Sequence, residues 1–363
     1  MSQAWSRVNC TTVIRRRRNP ERSIAVMTLP AIPRCSASGF MMMFVVEEGP
    51  SFMKQPAFTV VVANRNHSRY LPIALESVRR QTDQSFECIV VDDASEDNSC
   101  ALVESFPMDL TLIRKSASEG AAAAHNTAIE IAKSGLVAFL DADDAWHSSK
   151  LETARRVFNQ RSQVGLYYHR LRSVPSAGRA DIGTVPISVL KGNIERRVRM
   201  AGGYWHFSPT SGLVLRRELL NTLGAAPPDL FRNNPDSFWA GAAPYFTEVW
   251  GDRRILGMYR LHEENTWNTK ARIEHPETVA DSQMTHYEIR NDYVNRLLDR
   301  FGAPPVALDR NLRYKLASIR AKRSPVDAAT LLYAAMSPVD SFSERLHLLR
   351  ALLTAARRSR GRN

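Results

Sequence analysis

The sequence contains few cysteines and no long hydrophobic run. Its 363 residues include four cysteines, none in a C-x-x-C pair or at a Cys/His metal-binding spacing: Cys10, Cys35, Cys88 and Cys100. This argues against a disulfide-rich secreted domain and suits a reducing compartment. No segment approaches the roughly 18 consecutive apolar residues that cross a membrane, and no apolar core with a cleavage site indicates a signal peptide. We therefore expect a cytoplasmic protein.

The excess of positive charge is confined to the two ends of the chain. The formal net charge is +12, but residues 1–57 carry 8 Lys/Arg against 3 Asp/Glu, and residues 310–363 carry 12 against 3. The middle of the chain holds 29 against 31, a net charge of −2. A nucleic-acid-binding domain would carry a basic patch on its body, so we expect no nucleic-acid partner.

Composition and periodicity divide the chain into three regions. Residues 1–55 contain a basic run, Arg15–Arg18, and repeated prolines but no sustained hydrophobic period, so we expect a disordered N-terminal extension. An alternative is that translation starts at Met53. Residues 56–270 alternate strand and helix patterns and are expected to form the main domain. Residues 271–363 are helical in period and end in a basic segment.

The main domain is organised around one apolar strand and the carboxylates that follow it. Leu136–Leu140 are five consecutive apolar residues, which is typical of a strand buried on both faces. Asp141, Asp143 and Asp144 come directly after it. In open α/β sheets, ligands bind at the carboxyl ends of strands. Three clustered carboxylates repel one another unless a cation or a bound hydroxyl group lies between them. A solvated acidic turn is the alternative for an isolated D-x-D.

Strands and helices alternate ahead of this strand. The patterns predict strands at 58–62, 86–91 and 110–113, and helices that start at Ser68, near Asn98 and at Gly120. Such alternation is typical of a three-layer α/β/α sandwich with a largely parallel sheet. Farther along, the patterns predict helices from Ser148, over 186–200 and over 236–245, and strands at 164–168, 213–215 and 255–259.

Several short motifs occur in a fixed order: Val60–Asn66 (VVVANRN), Ile89–Ser95 (IVVDDAS), Gly120 with His125–Asn126, Leu140–Asp144 (LDADD), Pro209–Gly212, Asp236 and Tyr259–His262. Together they resemble a family-2 glycosyltransferase, a nucleotide-diphospho-sugar transferase, from Phe58 to about Trp267. The resemblance implies a GT-A fold over residues 56–270. This fold is a Rossmann-like three-layer α/β/α sandwich with a mixed, mostly parallel sheet, extended here by C-terminal helices.

The resemblance also implies a donor-binding set. Asp93, at the tip of the second strand, would hydrogen-bond the uracil edge, although it could instead cap the next helix. The family often has an aromatic residue where Arg65 stands, and a guanidinium can also stack on a base. The complete set of donor-binding residues implied is Ala63, Arg65, Asp93, Asn126, Asp141 and Ala142.

Metal and catalytic residues follow from the same resemblance. Asp143 is the main candidate ligand for Mg²⁺ or Mn²⁺, with Asp144 in support and His262 as a further ligand. Asp236 matches the family's general base, which must reach the acceptor hydroxyl. An ordinary helix N-cap is the alternative role for Asp236. Its competitors as base are Asp229, Glu248 and Asp252.

The implied function is an inverting, metal-assisted transfer of a sugar from a nucleotide-diphosphate donor. UDP-sugar is the expected donor, and a saccharide or lipid-linked glycan of cell-surface polysaccharide synthesis is the expected acceptor. A sugar nucleotidyltransferase is an alternative, but it would need a glycine-rich phosphate loop and a lysine after the first strand, which Ala63–Asn66 do not provide. An inactive nucleotide-sugar-binding module is a second alternative, against which the retained aspartates argue.

The C-terminal segment combines leucines and arginines at helical spacing. Leu346, Leu349, Leu352 and Leu353 are expected to pack on the body of the protein, as such a stripe usually does. The arginines beyond them have no acidic neighbours, and a basic amphipathic end favours an anionic membrane surface. We therefore expect peripheral contact with the inner face of the membrane.

Overall fold

A twelve-stranded mixed sheet forms the centre of the computed structural model, which describes residues 11–16, 25–29, 56–175, 183–262, 276–321 and 325–360. The order across the sheet is β10-β12-β8-β11-β6-β3-β4-β5-β1-β2, with β7 beside β12 and β9 beside β8. The strands are β1 (Thr11–Arg16), β2 (Ala25–Leu29), β3 (Phe58–Asn64), β4 (Phe86–Asp92), β5 (Leu110–Lys115), β6 (Leu136–Asp141), β7 (Ala145–Trp146), β8 (Val164–Pro175), β9 (Gly183–Val185), β10 (Lys191–Gly192), β11 (Leu213–Arg216) and β12 (Glu248–Leu261).

The central strands are parallel and buried on both faces. β3 pairs in parallel with β6 on one side and with β4 on the other, and β4 pairs in parallel with β5. Side chains alternate along each strand, so Val61 and Phe139 belong to one hydrophobic core, whereas Val60 and Val62 belong to the other. Consecutive apolar residues occur here because helices cover both faces of a parallel sheet.

Helices cover both faces of this sheet. Residues of α1, α2 and α4 pack into the core of Val60, and residues of α3, α5, α6, α7 and α8 pack into the core of Val61. The predicted α/β/α sandwich with a mixed, mostly parallel central sheet is thereby confirmed. The helices are α1 (Leu71–Arg79), α2 (Ser99–Ser105), α3 (Ala121–Ile131), α4 (Lys150–Gln160), α5 (Glu195–Met200), α6 (Arg217–Leu223), α7 (Pro228–Phe231) and α8 (Pro235–Ala242), with short 3-10 helices at Thr210–Gly212, Ala243–Tyr245 and Leu308–Arg310.

Two segments differ from the sequence-based expectations. β1 pairs with β5 and with β2, so residues 11–16 and 25–29 extend the sheet and are not part of a disordered extension. The backbone groups of β5 would otherwise form an open sheet edge, and β-branched Thr11, Thr12 and Val13 suit a strand. The helix expected over 186–200 is limited to α5, because Lys191 and Gly192 pair with β12 instead. The rest of segment 1–55 lies outside the described residues.

Four described helices follow the sheet: Pro276–Arg300, Leu312–Arg320, Ala328–Ala335 and Phe342–Arg360. The first contributes Val294 and Leu298 to the core beside α8. The other three form a small core of their own, which includes Leu316, Leu348 and Leu352. The predicted C-terminal helical extension is confirmed. In the described part of the chain, no helix combines the length and hydrophobicity needed to span a bilayer.

A polar cluster fastens the C-terminal helices to the sheet domain. Asp340 accepts hydrogen bonds from His206 Nε2 at 2.8 Å, from Arg313 at 2.5 Å and from Ser337 at 2.5 Å. The hydrogen bond from His206 and the charge of Arg313 outweigh burial and hold the pKa of Asp340 below its ordinary value. Glu344 lies 3.3 Å from the same imidazole nitrogen. The segment around His206 is therefore tied to the start of the last helix.

Candidate active site

A cleft of about 480 Å³ opens at the carboxyl ends of β3, β4 and β6. This is the edge of a parallel sheet at which ligands bind. The segment after β3, the loop before α3, the turn after β6, the start of α8 and the end of β12 form its walls. Eight of the ten residues predicted from the sequence line it: Ala63, Arg65, Asp93, Asp141, Ala142, Asp143, Asp236 and His262.

The turn after β6 presents the D-x-D carboxylates to this cleft. The backbone N–H of Ala142 donates to Ala63 O at 3.2 Å, which joins the ends of β6 and β3. The N–H of Asp141 donates to Ser211 Oγ at 3.0 Å. Asp143 Oδ2 lies 2.8 Å from His262 Nε2. The turn is therefore held by three contacts, and residues distant in sequence supply all three partners.

Clustering perturbs the ionisation of these carboxyl groups. Burial and the charges of Asp143 and Asp236 raise the pKa of Asp141 well above its ordinary value. Burial and the charges of Asp143 and Asp141 raise the pKa of Asp144 in the same direction. Each added negative charge thus makes the next ionisation harder, and a cation placed here would lower both pKa values.

Asp144 lies behind the cleft and does not line it. Its Oδ1 accepts the N–H of Arg260 at 2.8 Å, and its Oδ2 is buried with no hydrogen-bond partner among the residues that the structure describes. Arg260 Nε donates to the carbonyl oxygen of Asp143 at 2.9 Å. Asp144 therefore connects the D-x-D turn to the end of β12. The geometry favours this supporting position over the predicted place among the metal ligands.

The remaining donors fit a divalent cation. Asp143 and His262 present one carboxylate oxygen and one imidazole nitrogen side by side, and the carboxylate of Asp141 lines the same cleft. Oxygen and imidazole ligands suit Mn²⁺, and carboxylates suit Mg²⁺. Two adjacent donors leave coordination positions for diphosphate oxygens and water.

Asp236 lies in the first turn of α8 and lines the same cleft. Burial raises its pKa from 3.8 to about 6, although the backbone N–H of Ser237 and the charge of Arg290 act in the opposite direction. A carboxylate with such a pKa can accept a proton near neutral pH. Its three predicted competitors, Asp229, Glu248 and Asp252, do not line the cleft.

Asp93 follows β4 directly and lines the cleft. Its carboxylate accepts hydrogen bonds from Ser118 Oγ at 2.8 Å, Glu119 N at 2.9 Å and Gly120 N at 2.8 Å. These bonds outweigh burial and lower its pKa. Gly120 has φ +93°, and a Cβ there would lie 2.8 Å from Arg232 O, so only glycine suits this turn. Asp93 therefore shapes the loop before α3 in addition to lining the cleft.

The structure does not place Asn126 among the residues that line the cleft. Asn126 Nδ2 donates to Ala226 O at 2.7 Å, and Asn126 Oδ1 accepts the N–H of Ala226 at 3.0 Å. The two hydrogen bonds join α3 to the segment before α7. The side chain therefore has a structural role, because its amide group forms hydrogen bonds with both the backbone N–H and the C=O of a residue that lies 100 positions away.

The sequence analysis did not identify three residues that support the D-x-D turn: Trp146, Lys150 and Ser211. The carbonyl oxygen of Ser211 accepts hydrogen bonds from Trp146 Nε1 and from Lys150 Nζ, both at 2.8 Å. Lys150 is fully buried, and its Nζ lies 3.5 Å from the centre of the Trp146 ring. Burial lowers the pKa of Lys150, whereas the charges of Asp144 and Asp141 oppose this shift. The motif Pro209–Gly212 was the available signal.

Aromatic residues near His262 were also missed. The rings of Tyr70 and His262 stack with centroids 5.8 Å apart, and His67 meets His262 edge-on at 5.6 Å. Tyr259 lines the cleft, and burial together with the surrounding carboxylates raises its pKa. These rings fix the imidazole beside Asp143. No local pattern in the sequence marks Tyr70, since it becomes adjacent to β12 only in the folded protein.

Comparison with known proteins identifies the family. Residues 59–224 match the glycosyl transferase family 2. An uncharacterized glycosyltransferase of Nostoc sp. is 33% identical over 267 residues, which are 71% of this chain and 80% of the relative. The amylovoran biosynthesis glycosyltransferase AmsB of Erwinia amylovora is 29% identical over 46% of this chain and 57% of its own length.

One further relative bears on the family, and one solved structure bears on the fold. A UDP-Glc:α-D-GlcNAc-diphosphoundecaprenol β-1,3-glucosyltransferase of Escherichia coli, WfgD, is 35% identical over 26% of this chain and 38% of its own length. S. aureus TarS, solved in complex with UDP-GlcNAc, superposes with a TM-score of 0.52 at 16% identity, covering 84% of this chain and 91% of that one. The chain belongs to glycosyl transferase family 2 and is a glycosyltransferase of GT-A fold.

Proposed function

We propose that the protein transfers a sugar from a UDP-sugar to a saccharide or lipid-linked glycan, with inversion at the anomeric carbon and with the help of Mg²⁺ or Mn²⁺. The observation that carries this proposal is the joint presence of Asp143, His262 and Asp236 in one cleft. A metal-ligand pair and a carboxyl group with a pKa of about 6 are the two elements that such a transfer needs.

Each end of the cleft has a separate task in this proposal. Asp93 and the loop it holds receive the base, and Arg65 covers the base by stacking. Asp141 and the backbone at Ala142 orient the ribose and the diphosphate. Asp143 and His262 would hold the divalent cation, which, when bound, neutralises the charge of the departing diphosphate. The donor is thus stretched along the edge of the sheet with its sugar toward Asp236.

Asp236 acts as general base in this proposal. Its ionised carboxylate takes the proton of the acceptor hydroxyl while that oxygen attacks the anomeric carbon, and the bond to the diphosphate breaks on the opposite face. A single displacement of this kind inverts the configuration. A pKa of about 6 keeps most of the carboxyl group ionised at neutral pH and still leaves it basic enough to accept a proton.

The names of two relatives support the acceptor class. AmsB acts in amylovoran biosynthesis, and WfgD uses a diphosphoundecaprenol-linked GlcNAc. We infer that this chain also acts in polysaccharide synthesis at the cytoplasmic face of a membrane, where a lipid-linked acceptor is accessible. Family membership argues against a sugar nucleotidyltransferase as the alternative.

A donor screen tests the proposal. The purified protein is incubated with UDP-, GDP- and dTDP-sugars in the presence of Mn²⁺, Mg²⁺ or EDTA, and released nucleoside diphosphate is measured with and without saccharide acceptors. We expect release from a UDP-sugar that depends on the cation. Turnover confined to GDP- or dTDP-sugars would overturn the assignment of the donor, and equal turnover in EDTA would overturn the assignment of the metal.

A further inference from the structure

We propose that the last described helix, Phe342–Arg360, docks on a bilayer of anionic phospholipids through an exposed apolar face. We call this face, formed by Phe342, Leu346 and Leu353, the docking face. The inference rests on the proposed function only in that a lipid-linked acceptor would lie in such a bilayer. It concerns a surface distant in sequence from the residues that line the cleft.

The docking face is exposed although its residues are apolar. Phe342 is 76% exposed, Leu346 is 40% exposed and Leu353 is 45% exposed. Positions i, i+4 and i+11 lie along one side of a helix. Leu348 and Leu352, in contrast, are buried in the small C-terminal core. The helix therefore has one apolar side that packs and a second apolar side that meets solvent, which marks an interaction surface.

The preceding helix also carries exposed apolar side chains. Leu332 is 63% exposed and Met336, at the end of the helix Ala328–Ala335, is 67% exposed. The two helices pack together in the same small core, to which Ala334 and Leu348 both contribute. Large exposed apolar side chains thus occur on two neighbouring helices of the C-terminal region.

The charge around the docking face selects the partner. From position 345 to the end, the sequence has six arginines and no acidic residue: Arg345, Arg350, Arg357, Arg358, Arg360 and Arg362. Arg350 is exposed, and the side chains of the last four lie outside the described residues, so they enter here through their charge alone. An apolar stripe beside cations is the pattern of a helix that lies in a membrane interface and meets lipid phosphates.

The helix is held firmly against the rest of the protein. Ser341 and Glu344 form a capping pair at its start, since Glu344 Oε2 accepts the N–H of Ser341 at 2.8 Å. Arg197 Nε donates to Pro338 O at 2.8 Å. His206 contacts Asp340, and the chain continues from His206 to Thr210 in the wall of the cleft. A docked helix would therefore hold the cleft in a defined orientation to the bilayer.

Cosedimentation with vesicles tests the proposal on the full chain. The measured quantity is the partition coefficient onto phosphatidylglycerol-containing vesicles and onto pure phosphatidylcholine vesicles, at low and at high salt. The apolar test is F342Q/L346Q/L353Q, and its matched control is I73Q/I187Q, which removes exposed isoleucines from the sheet domain. The electrostatic test is R350Q/R357Q/R358Q. Truncation is unsuitable because it would remove Leu348 and Leu352 from the core.

We expect binding to anionic vesicles that falls with salt, and weak binding to phosphatidylcholine. The apolar variant should bind at least about 10-fold more weakly, and the arginine variant on the order of 10²-fold more weakly at low salt, because each arginine near the surface contributes about a factor of five. The I73Q/I187Q control should bind like the parent chain.

Three results would overturn the proposal. The first is a parent chain that stays in the supernatant at low salt, as expected if an acidic protein is the true partner. The second is an apolar variant that binds like the parent chain. The third is a parent chain that self-associates but binds no vesicles, together with an apolar variant that no longer self-associates. This result would assign the docking face to a second copy of the chain. Donor turnover measured without vesicles distinguishes these failures from a failure of the proposed function.

Discussion

Replacing Asp236 by asparagine tests the proposed base and predicts opposite effects on activity and stability. Asparagine keeps the shape of the side chain but cannot accept the acceptor's proton. We expect kcat to fall by a factor on the order of 10² or more while the affinity for UDP changes little, because Asp236 is proposed to act on the acceptor. Asp229→Asn is the matched control, since Asp229 is exposed in the preceding helix and does not line the cleft.

The raised pKa of Asp236 sets the pH dependence of the parent enzyme. With a pKa of about 6, roughly nine-tenths of the carboxyl groups are ionised at pH 7 and about one-tenth at pH 5. The value of kcat/KM should therefore fall about tenfold between these two pH values. In Asp236→Asn the remaining activity should lose this dependence, because the titrating group has been removed.

The same pKa predicts a gain in stability for the variant. Because the folded-state pKa is raised above the ordinary 3.8, ionisation of Asp236 destabilises the folded state. This cost is absent below about pH 4 and fully present above about pH 6. The shift corresponds to about 3 kcal/mol at most, and partial exposure of the side chain reduces it to about 1–2 kcal/mol. Asp236→Asn should therefore melt at higher temperature than the parent at pH 8 and at a similar temperature at pH 4.

Two measurements decide the matter: the pH profile of kcat/KM for both proteins, and thermal unfolding at pH 4 and pH 8. The reasoning is refuted if the variant keeps more than a tenth of the parent's kcat, or if the parent's profile is flat from pH 5 to pH 7. Retained activity would move the search for the base to Asp141, a carboxylate of the same cleft on which the charge of Asp236 acts.

Three further variants test other parts of the site. Asp143→Asn should keep the fold and remove the effect of Mn²⁺ on the affinity for UDP. Calorimetry measures this affinity with and without Mn²⁺, and a variant whose affinity still depends on Mn²⁺ would contradict the metal assignment. Asn126→Ala should lower the free energy of unfolding by about 1–3 kcal/mol, because Ala226 loses two hydrogen bonds, with a donor KM within a few-fold of the parent's. Ser211→Ala should destabilise the fold by about 1–2 kcal/mol, because the N–H of Asp141 loses its partner, and should weaken donor binding in Mn²⁺; unchanged donor binding would show that Asp141 needs no such support.

Prediction from the sequence succeeded for segments whose own residues show how they are buried. β3, β4 and β6 are apolar runs that only a covered parallel sheet can bury, so their position and the place of the D-x-D at the sheet edge followed directly. The helix that begins beside Asp236 was also predicted, because its apolar period is local. In these cases the pattern and the tertiary contacts favour the same structure.

Prediction failed where the partner of a residue is remote. Asn126 was assigned to the donor because it is part of a motif that resembles the family, yet its amide pairs with the backbone of Ala226, which no local pattern marks. β12 extends over Glu248–Leu261, far beyond the predicted 255–259, because it pairs with β8 along its length. β-pairing and buried hydrogen bonds of this kind depend on the register of distant segments, which a single sequence does not specify.

The last helix, Phe342–Arg360, shows which features of a helix its hydrophobic periodicity can predict. At about 100° per residue, Leu346 and Leu353 lie within about 20° of each other, and Leu348 and Leu352 lie within about 40°, but the centres of the two pairs are about 130° apart around the helix. A stripe that includes both Leu346 and Leu352 therefore cannot pack as one face, and the expectation that all four predicted leucines pack on the body is wrong for Leu346 and Leu353. Periodicity separates the two faces but does not say which one is buried. The contacts of Asp340 and Glu344 with His206 decide this, because they fix the rotation of the helix and turn Leu348 and Leu352 inward.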